Sequence, residues 1–129
     1  MPIRVVQLGS ARAREEGLRI GTVRRPPRGV RKADYARLNF YDVWLPDLSP
    51  SADIISEFHQ AGESNAAWRR LDRRYRAEMK QPEKGRLLTF LAALSHTADF
   101  SVGCYCEDER RCHRSILRAL LREHGAEVV

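Results

Sequence analysis

The twelve residues from Cys104 to Ser115, CYCEDERRCHRS, gather three cysteines, a histidine and three arginines. Nucleophilic, basic and metal-binding side chains at this density make the segment the candidate seat of chemistry. Cys112 stands where a helix is expected to open, because Ile116, Leu117, Leu120 and Leu121 follow it at helical spacing. A thiol in the first turn of a helix meets the positive end of the dipole and unpaired backbone N–H groups, which favour thiolate. His113 brings an imidazole suited to general acid–base work, and Arg114 adds positive charge. Cys112, His113 and Arg114 are therefore the candidate catalytic residues.

Two other patterns share these residues. Cys104, Cys106, Cys112 and His113 form a C-x-C-x5-C-H set of soft zinc ligands. Zinc knuckles use C-x2–4-C pairs, however, and Cys104 and Cys106 fall in one expected strand. The two are read as packing residues, and no cofactor is expected. Cys104 and Arg110 have the C-x5-R spacing of a phosphatase loop. Glu107, Asp108 and Glu109 fill that loop with negative charge where an anion needs glycines and free N–H groups, so this reading is rejected.

A second group of candidates lies far upstream. The chain has 129 residues and a formal net charge of +6. The charge is concentrated: residues 1–37 hold ten Arg and Lys against Glu15, Glu16 and Asp34, while the remainder is nearly balanced. Its centre is the loop RRPPRGVRK, in which Arg24, Arg28, Gly29 and Lys32 are the candidate ligand-binding residues. Such a loop suits phosphate, carboxylate or nucleic acid.

The elements that must position these two groups follow from periodicity. Ile3–Leu8, Leu18–Val23, Tyr41–Leu45 and Phe100–Cys106 are expected strands, and Ala126–Val129 a short closing one. Ser49 with Pro50 is expected to open a first helix, Ser64 a second, and Pro82 a third; Cys112 or His113 opens the last, which Gly125 ends. Strands alternating with helices predict an α/β fold: a single three-layer domain, residues 1–129, with a small, largely parallel sheet flanked by helices. In such sheets ligands gather at the carboxyl ends of strands. The turn at Cys106–Cys112 and the Gly9-Ser10 turn both fall there.

Composition sets the setting. With 43% hydrophobic and 31% charged residues, the chain is that of a folded domain with a real core. No apolar run is long enough to span a bilayer, and the N-terminus lacks a signal-peptide pattern, so no membrane partner is expected. Three clustered cysteines do not make a disulfide framework, and a reducing, cytoplasmic location is expected.

The chain resembles the bacterial and archaeal domain-of-unknown-function family 488 (DUF488). The resemblance runs through GLRIGTVRRPPRGVRKADY, DVWLPDLSPS and WRRLDRRYRAEM to CYCEDERRCHRSILRALLREHG. It implies a compact α/β fold in which the arginine-proline loop and the cysteine-histidine-arginine helix start face one pocket. Three functional readings remain open. An enzyme would hold a small anionic or nucleotide-like ligand on Arg24–Lys32 and use Cys112 and His113. A nucleic-acid-binding protein would use the basic N-terminal third and the arginine face of the Ser64–Lys80 helix. A metal-binding or redox-sensing protein would use the clustered cysteines.

Overall fold

The computed structural model describes residues 2–129. Four strands, β1 (Ile3–Gln7), β2 (Leu18–Gly21), β3 (Val43–Trp44) and β4 (Phe100–Cys104), form one sheet. Its order is β1-β4-β2-β3 and every pairing is parallel. Four helices complete the domain: α1 (Ala52–Gln60), α2 (Asn65–Met79), α3 (Pro82–Leu94) and α4 (His113–Glu123). None of the helices among the described residues is long and apolar enough to cross a membrane.

Side-chain alternation along the strands sorts the layers. Ile3, Ile20, Phe100 and Val102 share one core with the buried residues of all four helices, including Tyr75, Leu88, Leu117 and Leu121. The opposite face presents Arg19 and Ser101, and there the covering layer is built of loops. Glu16 from the first loop reaches Ser101 Oγ at 2.6 Å and Arg19 Nε at 2.7 Å. Arg19 Nη1 donates to Ser10 O and Asn39 O, both at 2.8 Å. One buried guanidinium therefore ties the loop after β1 to the loop after β2.

The helices begin much as their capping residues predict. Ser64 Oγ accepts from Ala67 N at 3.1 Å, the bond expected of an N-cap. Pro82 opens α3, where its missing N–H costs no hydrogen bond. The start of α1 differs from expectation, falling at Ala52 rather than Pro50. A 3-10 turn at Pro46–Leu48 intervenes, and Arg24 takes the carbonyls of Ser49 and Pro50 that a helix start would have used. Ser51 N is satisfied by Glu78 Oε1 instead. The Ala126–Val129 strand reduces to a single parallel bridge between Ile3 and Val128.

β4 also stops early, at Cys104 instead of Cys106. Its neighbour β1 ends opposite at Gln7, and the last rung is Leu8 N to Cys104 O at 2.8 Å. Without a partner the chain turns away at Tyr105, and Cys106 leaves the sheet. This turn decides the geometry of the site.

Candidate functional site

β4 and α4 meet at the carboxyl edge of the sheet. Cys104 is the last residue of β4, and Cys112 occupies the N-cap position of α4. A 3-10 turn at Glu109–Arg111, capped by Asp108, links them. The turn brings Cys106 back over the edge, so the three Sγ atoms lie within 4.8 Å of one another. Cys104 and Cys112 are buried, whereas Cys106 is exposed. The two strand cysteines, expected only to pack, thus join Cys112 in one cluster.

Proton sharing inside the cluster favours charge on the exposed sulfur. Thiol donation from Cys104 and then Cys112 pulls Cys106 down, and the positive field of Arg114 adds to it; burial opposes them. Cys104, whose hydrogen is committed to Cys106, is pushed up to about 11. Cys112 is pushed up as well, by its bonds to Cys104 and Cys106 and by burial. Bonds to Cys104 and Cys106, and then burial, thus oppose the thiolate expected at Cys112 and favour it at Cys106.

His113 sits in the first turn of α4, buried, with its ring edge-on to Tyr75 at 5.6 Å. Nε2 lies 2.7 Å from the carbonyl oxygen of Thr22. A carbonyl only accepts, so Nε2 carries the hydrogen and Nδ1 keeps a bare lone pair. Nδ1 stands 4.0 Å from Cys112 Sγ. Burial pushes this imidazole down to about 4, the Thr22 bond opposing, so it is neutral at physiological pH.

The arginine loop is held against this cluster by its own backbone. His113 takes Thr22 O, Trp44 Nε1 donates to Val23 O at 2.7 Å, and the Tyr105 hydroxyl donates to Arg25 O at 2.9 Å. Arg24 binds Ser49 O and Pro50 O at 3.0 and 3.2 Å, anchoring the loop to the approach of α1. The result is an open cleft of about 1020 Å³, bordered by Arg24, Arg28, Cys106, Cys112 and His113. That is ample for a small-molecule ligand. Arg25 and Arg111 also border it, against the single carboxylate of Glu63, so the lining is net positive.

Not every candidate reaches the cleft. Gly29 and Lys32 lie outside the lining; both are exposed, and Gly29 turns the loop with φ of +71°. Arg114 is 3% exposed behind the cysteines, reaching Cys104 O and Glu107 O at 3.5 and 3.3 Å, while its Nε has no partner. Sequence reading passed over Arg111 and Thr22, which carry no local signal for the cleft. On α2, Arg70 and Arg74 pair with Glu57, and Arg76 with Asp72 and Glu123, so much of its basic face is engaged.

A family model described as the active DUF488-N3 subclade (DUF488-N3a) matches residues 3–125. The chain belongs to the DUF488 family. No curated protein and no solved structure matches it. The match takes in both halves of the site, the Arg24–Lys32 loop and the Cys104–Arg114 segment. In this DUF488 chain the cleft brings together a net-positive arginine lining, a sulfur cluster and a buried imidazole.

Proposed function

We propose that this DUF488 protein is an enzyme acting on a small anionic or nucleotide-like substrate. Arg24 and Arg28 hold the anion, Cys106 attacks as the nucleophilic sulfur, and His113 transfers a proton. Cys112 lies between His113 and Cys106 and couples them, and Arg114 supports the sulfur cluster from behind. Gly29 and Lys32 shape the outer loop without a direct ligand contact. One observation carries the reading: an exposed cysteine, a buried Cys–His pair and two arginines border a single cleft. Bonds to backbone carbonyls fix the loop at Thr22, Val23 and Arg25, and the Arg24 guanidinium adds its own bonds to Ser49 O and Pro50 O. Arg28 is thereby left exposed for a ligand, with no ion pair among the described residues.

Charge distribution favours a small anion over nucleic acid. The positive lining is confined to a concave site, whereas the α2 arginines are largely committed to carboxylates. The test is calorimetric titration with inorganic phosphate and with a nucleoside monophosphate. Binding by the wild type, weakened by an order of magnitude or so in Arg28→Ala through loss of a charge-assisted contact, is the expected result. Failure of both probes to bind, or equal binding by the variant, would overturn the anion assignment.

A further inference from the structure

We infer that Cys104, Cys106, Cys112 and His113 form a binding site for one thiophilic divalent cation of the zinc class. The inference is independent of the anion assignment and concerns the same sulfurs. Three of the four ligand atoms already converge. The Sγ atoms lie within 4.8 Å of one another, with Cys104 and Cys106 only 3.9 Å apart. Around a tetrahedral zinc with Zn–S bonds of ~2.3 Å, neighbouring sulfurs stand roughly 3.8 Å apart. The sulfurs therefore need to close by about 1 Å at most to share an ion.

The fourth ligand is prepared by its other nitrogen. Zinc-bound histidines commonly donate their second ring N–H to a carbonyl or carboxylate, which fixes the tautomer and the ring. Thr22 O does this to Nε2 of His113 at 2.7 Å. The freed Nδ1 faces Cys112 Sγ at 4.0 Å, against roughly 3.5 Å expected for nitrogen and sulfur on one tetrahedral zinc. Charge is also accommodated: three thiolates on a divalent ion leave one net negative charge, and the buried Arg114 stands behind the cysteines. Packing alone does not account for the arrangement, because Cys106 is exposed and an imidazole lone pair is left without a nitrogen or oxygen donor.

Binding forms three Zn–S bonds and one Zn–N bond, and each thiol that enters as thiolate releases its proton to solvent. Zinc draws on the sulfur lone pairs and lowers their nucleophilicity, so the metal-loaded form competes with the metal-free, more reactive form of the same cluster. The test uses reduced, chelator-treated protein titrated with cobalt(II), and with zinc in competition with a chromophoric chelator. One ion per chain and a tetrahedral cobalt–thiolate spectrum are expected. Cys106→Ser and His113→Ala should each weaken zinc by at least about ten- to a hundred-fold, the loss that follows even when an outer-shell partner of a ligand is removed. Cys106 is exposed, so its variant is expected to keep the fold, checked by circular dichroism. Wild-type protein that retains no ion at micromolar zinc, or Cys106→Ser that binds as tightly as wild type, would overturn the site. Arg28→Ala should leave zinc affinity unchanged, so loss of the anion reading and loss of the metal site register separately.

Discussion

Replacing Glu16 by Gln removes one charge from a pair that lies wholly inside the protein, Glu16 being 2% and Arg19 0% exposed. The glutamine keeps the volume and one acceptor, but it turns an amide NH2 toward donors on Arg19 or Ala13. Burial by itself would raise the Glu16 carboxyl. The bonds from Arg19, Ser101 and the Ala13 N–H outweigh it and hold the group at about 2, against an ordinary 4.5. That difference corresponds to about 3 kcal/mol of linkage stabilisation, similar to the cost of breaking other buried pairs. For a domain of this size the melting temperature should fall by roughly 10 °C. The sign with pH follows from a folded-state value lying below the unfolded one. The stabilisation is complete above about pH 4.5 and fades as pH drops toward 2. Urea unfolding of both proteins from pH 7 down to pH 2 should therefore show a gap that is widest at neutral pH and narrows in that window. Arg19 also carries Ser10 O and Asn39 O, so the variant should loosen the loop layer, detected as faster amide exchange near Asn39. A neutral-pH loss under about 1 kcal/mol, or a gap that persists unchanged to pH 2, would refute the reasoning.

Four further expectations concern packing around the site. Tyr75→Phe leaves the buried Leu48 carbonyl without its 2.6 Å partner and should cost about 1–3 kcal/mol in chemical denaturation. Gly21→Ala would place a Cβ 2.3 Å from the buried Tyr41 ring, and overpacking at such a contact should lower stability by about 1–3 kcal/mol. Cys106→Ser, at an exposed position, should change stability by less than about 0.5 kcal/mol. Cys112→Ser puts a hydroxyl where the thiol is 1% exposed and should cost about 1–3 kcal/mol by the same assay.

Local signals account for much of the fold. A β-branched run gave away β1 and alternation of Phe100, Val102 and Cys104 gave away β4, Ser64 and Pro82 marked the starts of α2 and α3, and the leucines after Cys112 marked the buried face of α4. The parallel sheet follows from the alternation of strands with helices. What escaped local reading depends on distant partners. α1 starts two residues late because Arg24, across the fold, takes the Ser49 and Pro50 carbonyls. Glu16 and Arg19 sit at a spacing of three residues, yet only Ser101, Ser10 and Asn39 make them a buried brace. The site was half legible. Cys112, His113, Arg24 and Arg28 were named from residue type and do border one cleft. Cys106 was assigned to packing because nothing local shows that β4 ends at Cys104 when β1 runs out of partners.

Delivery of anions by the arginine-lined cleft to a reactive Cys106 underlies the proposed function. It is tested most directly by comparing alkylation of Cys106 by iodoacetate and by iodoacetamide, read by peptide mass spectrometry at low and high salt. The two reagents deliver similar alkyl groups but differ in charge, and iodoacetamide is intrinsically the faster, so the iodoacetate-to-iodoacetamide rate ratio is compared with that of a free thiol. Relative to the free-thiol ratio, Cys106 should favour iodoacetate at low salt, with the preference lost in Arg24→Ala/Arg28→Ala and reduced by salt screening. A ratio no higher than that of the free thiol, unaffected by salt or by the arginines, would contradict it.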